Sequence, residues 1–451
     1  MTLANKMRDI GLFDTRVPRY TSYPPANHFN DSVGPDIARQ WIKAIPSGSR
    51  VSLYVHIPYC RRLCWFCACR TQGTATNRPL APYLALLKAE LDLIDKMLPP
   101  DVVLSAFHLG GGTPTLLPPD MLLDIGASLA AFRPWAEDIQ VSVEIDPTEV
   151  DAARIAALKQ IGMTRASIGV QDFDPLVQDA IGRNQSYEQT RDVVTALRAA
   201  GIDSVNMDVL FGLPHQTRAR LADSVQRVLS LAPDRVALYG YAHVPWMAKR
   251  QVMIPSDALP GAEERLELFD TARRLFVWDG YGEIGIDHFA RSGDGLFEAE
   301  RAGTLRRNFQ GYTDDQTDTL IGLGASAISR FPQGYAQNIS TSSRYASAIS
   351  EGHLATERGY AMTQDDSLRA TMIEELMCRF EISYDRLAKR TGATKAQIWE
   401  MTAELRNRFA DHLSVTDKAL KLTEGSRLIA RMAAQTLDTF SMPEGRHSRA
   451  L

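Results

Sequence analysis

Between Val51 and Ala242 the chain repeats one pattern six times, a short β-rich run followed by a stretch of helical period. The runs read VSLYVHI (51–57), LSAFHLGGG (104–112), QVSVEID (140–146), RASIGVQ (165–171), SVNMDVLFG (204–212) and RVALYGYA (235–242); helical spacing fills 80–97, 119–132, 150–161, 186–199 and 217–231. Strands separated by helices pair in parallel through right-handed crossovers. A doubly wound sheet and a barrel share this alternation. The polar residues that close successive strands, His56, the glycines after Leu109, Glu144, Gln171, Asp208 and His243, favour the barrel, whose sites are built at the carboxyl ends of its strands. The expected fold is α/β, a partial or full parallel barrel.

The flanks differ in texture. Residues 1–48 are irregular, with prolines and aromatics in PRYTSYP and one short helix at GPDIARQWIKAI; another helix is expected over 262–278, then a polar, glycine-bearing stretch to about 340. After Thr363 the pattern is helical, and LAKRTGATKAQIWEMTAEL followed by LSVTDKALKLTEGSRLIAR reads as a helix-turn-helix with a β wing. We therefore expect a covering segment (1–48), the barrel with its extension (49–362) and a mostly helical, winged-helix-like domain (363–451). From Gln364 onward 14 basic side chains face 13 acidic ones, which lacks the basic footprint of a DNA reader. The whole chain balances 50 against 54, net −4, so neither nucleic acid nor an anionic membrane is an expected partner. No run approaches the ~18 to 20 apolar residues of a membrane span, and MTLANKMRDIGLFD lacks the apolar core of a signal peptide, so a cytoplasmic monomer is expected.

Four of the five cysteines crowd into HIPYCRRLCWFCACR (56–70). The fifth, Cys378 in IEELMCRF, reads as a core thiol. A zinc ribbon needs a second ligand pair well downstream, which is missing. A dithiol redox pair at Cys64 and Cys67 leaves Cys60 and Cys69 unexplained. Iron–sulfur ligation accounts for several thiolates on one loop, because the irons of a cubane lie close together. Four protein ligands would close such a cluster, whereas three would leave one iron open. GGGTP (110–114), directly after a strand, presents backbone amides without side-chain obstruction.

The spacing of Cys60, Cys64 and Cys67, with Phe66 before the third, is similar to that of the radical S-adenosylmethionine superfamily. Within it the chain resembles the oxygen-independent coproporphyrinogen III oxidases over nearly its whole length. The resemblance is carried by VPRYTSYPPANHF (17–29), LYVHIPYCRRLCWFCAC (53–69), LGGGTPT (109–115), VSVEIDP (141–147), IGVQDF (168–173), MDVLFGLPHQT (207–217), YGYAHVP (239–245), IGIDHFAR (284–291), RRNFQGYT (306–313) and LGASAIS (323–329).

The resemblance implies a partial (β/α)6 barrel and a 4Fe-4S cluster on Cys60, Cys64 and Cys67. It implies S-adenosylmethionine at Tyr54, Phe66, Gly111, Gly112, Thr113, Glu144, Gln171, Arg183 and Asp208, and a second molecule of it near Ala242, Gln310 and Ile328. The implied reaction is decarboxylation of the ring A and B propionates of coproporphyrinogen III to vinyl groups, started by a 5′-deoxyadenosyl radical, with a flavodoxin or ferredoxin as electron donor. Cys69 and Tyr54 are the expected catalytic side chains. Because the substrate carries four propionates, Arg19, Tyr20 and Tyr23 are expected to bind it, with His288, Arg291, Arg306 and Arg307 as second choices. Cys69 and PRYTSYP separate the chain from the haem-chaperone branch of the superfamily; a radical enzyme acting on haem is the other alternative. Ala68, Arg70 and Pro25 depart from the family's common glycine, asparagine and threonine.

Overall fold

The structure, a computed structural model, describes residues 7–440; the ends of the two expected terminal segments, 1–6 and 441–451, lie outside the described residues. Six strands form the parallel core: β1 (Arg50–Ile57), β2 (Val103–Gly111), β3 (Trp135–Ile145), β4 (Arg165–Gln171), β5 (Ser204–Phe211) and β6 (Arg235–Gly240). Each pairs in parallel with the strand before it. Sequential order means the winding never reverses, which rules out the doubly wound sheet and gives a barrel wall. The wall stays open. Leu320–Leu323 extends it beside β1 in parallel, and Ile328–Phe331, Gly334–Asn338 and Thr356–Ala361 follow antiparallel; His288–Ala290 and Gly282–Ile284 continue it past β6. These additions were not expected from the polar stretch that contains them.

Helices lie between consecutive strands. Their starts are set by local chemistry: Asp151 and Thr217 cap the backbones of 152–160 and 218–230, and Ser186 with Gln189 forms a capping box ahead of 187–199. The strand face under the helices is aliphatic, with Leu53, Val55, Ile57, Val143, Ile168, Met207 and Val209 in one continuous core. The opposite face, one residue out of phase, carries Tyr54, His56, His108, Glu144, Asn206, Asp208 and Tyr239. The lumen is thus polar. Its amino-terminal end is closed by Arg235 with Asp294 (2.9 Å), Gln140 with Asp314 (3.1 Å) and Ser52 with Thr317 (2.8 Å).

A second core joins the two ends of the chain. Leu12, Phe13, Val17, Tyr20 and Tyr23 pack with Leu376, Met377, Leu420 and Met432, and Arg431 donates to the Val17 carbonyl (2.6 Å). There helices Gln364–Arg379, Tyr384–Thr391 and Lys395–Met401 adjoin a small sheet of Glu381–Ser383, Leu413–Val415 and Ala419–Leu422. No helix among the described residues is long and apolar enough to cross a membrane.

The added strands are tied to the helical layer by a buried carboxylate. Glu90 accepts from Gly324 N (2.7 Å), Asn338 Nδ2 (2.6 Å) and Tyr345 OH (2.7 Å), and burial pushes its pKa up to about 7. The folded state therefore binds a proton that the unfolded chain has released, so this group's contribution makes stability fall as pH rises from about 4.5 to about 7. Glu90→Gln should flatten that slope; urea midpoints of both proteins at pH 5 and pH 8 measure it, and parallel trends would refute the assignment.

Candidate functional site

The cysteine loop grows out of β1. Tyr59–Cys60 pairs with Gln72–Gly73, which pinches residues 61–71 into a loop closed at its base. Two further bonds bind it to the glycine turn after β2: Gly112 N donates to Ile57 O (2.7 Å) and Thr113 N to Tyr59 O (2.8 Å). The contact requires glycine, because a Cβ at Gly112 would stand 2.6 Å from Tyr59 O and 3.0 Å from Cys60 Sγ. Around the loop's outer side, Trp65 N bonds Ile181 O (2.9 Å) and the Trp65 ring covers Gly182. Gln251 Nε2 donates to Phe66 O (2.8 Å) and Ala242 O (3.1 Å), and Arg250 reaches Thr71 Oγ1 (2.8 Å) and Cys69 O (3.4 Å). Gln251 and Arg250 were missed by the sequence reading, and no local pattern marks them.

Three thiols, Cys60, Cys64 and Cys67, are half-buried and influence one another electrostatically. Burial raises Cys60 to about 11 and raises Cys64 too, although Arg183 Nη1 stands 3.6 Å from Cys64 Sγ. The thiols of Cys67 and Cys69 act on each other, lowering Cys67 and holding Cys69 well above an ordinary thiol. Cys69 is accessible from the lumen yet ringed by protein, so accessibility and low polarity coexist there. Among the described residues no three ligand-type side chains converge on a point as a single metal ion would need; a cubane takes one thiolate per iron and makes no such demand.

Beyond the thiols lies the lumen network. Glu144 takes a bond from Gly111 N (3.0 Å) and pairs with His108 Nε2 (3.2 Å), whose ring stacks on Tyr54. Burial opposes ionisation of Glu144, but His108, the Gly111 amide and His56 outweigh it and lower its pKa. Facing the Arg70 carbonyl at 3.0 Å, His56 Nε2 must carry the proton, so its Nδ1 accepts from Tyr54 OH (3.0 Å). Across the lumen, burial lifts Asp208 to about 6 despite the bond from Asn206 (2.9 Å). Gln171 ends β4 with φ +68°, a left-handed conformation that non-glycine residues hold only where the fold imposes it. Arg183 crosses from the far side to Gly169 O (2.7 Å), Gln185 Oε1 (2.8 Å) and Asp146 (3.5 Å). Three buried polar atoms on these walls have no protein partner: Arg183 Nε, His108 Nδ1 and Asn206 Oδ1.

One expectation needs correction. The amides of GGGTP do not stay free for a ligand: Gly111 N donates to the Glu144 carboxylate, and Gly112 N and Thr113 N are taken up because the turn continues the β1–β2 pairing beyond the barrel. What the turn can offer a ligand is acceptors.

The remaining predicted residues sit around the rim. Ile328 packs its backbone on Gly322, which pairs with Tyr54; Gln310 precedes Gly311, which approaches Tyr239 OH. Ala242 and Arg19 line a cavity of about 460 Å³, and Arg19 donates to Gly240 O (2.9 Å). Five arginines ring this cavity, Arg16, Arg19, Arg265, Arg307 and Arg431, against one carboxylate, Asp287. Tyr20 and Tyr23 face instead a second cavity of about 420 Å³, with Arg306, and their hydroxyls are bonded to Asp438 (3.0 Å) and Thr439 (3.1 Å). His288 lies between Tyr239 and Asp287, while Arg291 stacks on Tyr281. Arg16, Arg265 and Arg431 were not anticipated: they come from three distant parts of the chain.

Comparison with known proteins agrees with this geometry. A family model described as the Radical SAM superfamily matches residues 54–228. The chain is 54% identical over 452 residues, the full length of both proteins, to an oxygen-independent coproporphyrinogen III oxidase of Paracoccus denitrificans. It is 37% identical to one of Pseudomonas aeruginosa, covering 97% of each. The solved coproporphyrinogen III oxidase of Escherichia coli, described as a radical SAM enzyme, superposes with a TM-score of 0.90 at 33% identity, over 95% of this chain and 100% of that one.

The Gly112 contact is limited by backbone on two sides, so the added methyl of Gly112→Ala must push the glycine turn off the cysteine loop. Overpacking of this kind costs roughly 1–3 kcal/mol. Urea unfolding should show that loss together with reduced iron uptake on anaerobic reconstitution; a wild-type midpoint would contradict the packing argument.

Proposed function

The chain belongs to the oxygen-independent coproporphyrinogen III oxidases of the radical SAM superfamily, and on that premise we propose that it converts coproporphyrinogen III to protoporphyrinogen IX without oxygen. Each of the two propionates loses one hydrogen atom, carbon dioxide and one electron, and leaves a vinyl group. The lost hydrogen sits on an unactivated carbon, beyond the reach of any side-chain base. A 4Fe-4S cluster with S-adenosylmethionine supplies a 5′-deoxyadenosyl radical for that abstraction.

The single observation that carries the reading is the set of three thiols held against a glycine turn beside a polar lumen with three unsatisfied buried atoms. Cys60, Cys64 and Cys67 would be the cluster ligands; Cys69 would not, because a fourth protein thiolate would leave no iron open. Phe66 packs under the loop. Ionised Glu144 and the carbonyls of Gly111 and Gly112 accept from the nucleoside's ammonium, and Thr113 fixes the turn. Arg183, with a spare Nε, pairs with its carboxylate, and Gln171 and Asp208 accept or donate at its hydroxyls. Ala242, Gln310 and Ile328 would hold a second S-adenosylmethionine. The substrate's propionates enter the cavity of five arginines, with Arg19 as its floor contact to β6, and Tyr20 and Tyr23 hold the covering segment shut against the tail. Tyr54 and Cys69 would be the catalytic side chains of this site. An acidic flavodoxin or ferredoxin delivers the electron, and the enzyme acts as a cytoplasmic monomer.

Anaerobic incubation with a reductant, S-adenosylmethionine and coproporphyrinogen III should yield carbon dioxide and protoporphyrinogen. Serine at position 60, 64 or 67 should abolish cluster iron, whereas Cys69→Ser should keep the iron and lose turnover. Zinc in place of iron, or haem uptake without decarboxylation, would refute the proposal. Asp208 adds a pH signature: with its pKa at about 6, its acceptor charge is lost as pH falls through that value. S-adenosylmethionine affinity should weaken below pH 6 in the wild type and show no such step in Asp208→Asn, by anaerobic titration calorimetry.

A further inference from the structure

Nine large apolar side chains are exposed among the described residues, and five of them, Leu176, Trp246, Met247, Val252 and Met253, belong to two short segments. Both segments border one satellite core. Val177, Ile181, Leu210, Leu213, Tyr241 and Ile254 pack there with Trp65 and Phe66 of the cysteine loop. The exposed residues therefore cover the outer side of the loop that carries the cluster ligands. Val252 is 70% exposed although its neighbour Gln251 is buried and bonded to Phe66 O at 2.8 Å. One layer of backbone separates the patch from the thiols. A solitary exposed apolar residue needs no explanation, but a contiguous group of this kind marks a contact surface.

Charge identifies what it contacts. The segments 58–72, 174–181 and 243–256 hold five cations, Arg61, Arg62, Arg70, Lys249 and Arg250, against two carboxylates, Asp174 and Asp179, in a chain whose net charge is −4. An apolar centre with a cationic rim is complementary to a protein with an acidic face, and such steering raises the rate of encounter more than the lifetime of the complex. A brief, repeated encounter is what electron delivery requires.

Resting on the function proposed above, we infer that this patch is the docking surface of a small acidic one-electron carrier protein, which passes its electron through the 66–69 backbone to the cluster. The interface is of the small, transient class.

The test separates delivery of the electron from its use. Lys249→Glu and the pair Val252→Asp, Met253→Asp alter residues that make no contact with the loop; Trp278→Asp, on the remote face, is the control. Each protein is assayed with dithionite, with reduced flavodoxin and with reduced ferredoxin. With dithionite all variants should match the wild type in turnover and iron content. With a carrier, kcat/KM for that carrier should fall at least tenfold in the patch variants and remain unchanged in the control, and added salt should slow the wild type but not Lys249→Glu. Unchanged carrier-driven turnover overturns the inference, as does an equal loss with dithionite. A wild-type dimer that Val252→Asp dissociates, with carrier-driven turnover intact, would give the surface to a second copy of the chain. Absence of turnover in the wild type with every reductant would instead sink the proposed function itself.

Discussion

The site depends on two backbone hydrogen bonds that lie beyond the last registered residues of the barrel. Gly112 to Ile57 and Thr113 to Tyr59 extend the β1–β2 pairing past the carboxyl end of the wall. By doing so they fix where Cys60 begins and bring the glycine turn against its sulfur. A loop of eleven residues, 61–71, would otherwise be free to move, since a surface loop gains little from its own side chains. The bonds convert it into an appendage of the sheet. Everything further out, Trp65 on Gly182 and Gln251 under Phe66, then braces a loop whose base is already set.

That wall also explains why the strands were legible. In a barrel packed with aliphatic side chains both strand faces are apolar and the strands read as continuous hydrophobic runs. Here one face carries Tyr54, His56, His108, Glu144, Asn206 and Asp208, so period-two alternation is written into the sequence, and β4 falls at 165–171 as expected. The helices 119–132 and 262–278 also match their spacing. The strands between 320 and 361 escaped because they are four to six residues long, rich in glycine and polar groups, and owe their existence to pairing, the first with β1 and the others each with the strand before it, rather than to their own pattern. Helix Pro175–Ile181, seven residues long, is too short for periodicity to reveal.

The site divides in the same way. Its thiols and glycines are adjacent in sequence, so their spacing carried the chemistry before any fold was known. The arginines of the large cavity are not adjacent: they come from the covering segment, the helix 262–278, the hairpin 306–313 and the tail. Only the fold brings them together, and it does so against electrostatics. Burial, with Arg19 and Arg307 nearby, pushes Arg431 down to about 9, and Arg19 is lowered in the same way. At Arg19 and Arg431 an entering carboxylate relieves repulsion between the cations, so this side of the pocket is preorganised for an anion.

The spent amides of the glycine turn bear on how a sulfonium nucleoside sits in the lumen. Its amino acid part carries one cation and one anion. If the turn kept its N–H groups free, it would draw the carboxylate; with Gly111, Gly112 and Thr113 all donating inward, it can draw only the ammonium, toward carbonyl oxygens and toward Glu144, which the Gly111 amide helps to keep ionised. For a carboxylate the nearest cation is Arg183, which spans Gly169, Gln185 and Asp146 at the ends of the two adjoining strands and has one buried N–H still unpaired. The pairing of β1 with the turn after β2 thus does more than position the thiols. By consuming the donors of that turn it sets the polarity of the lumen itself.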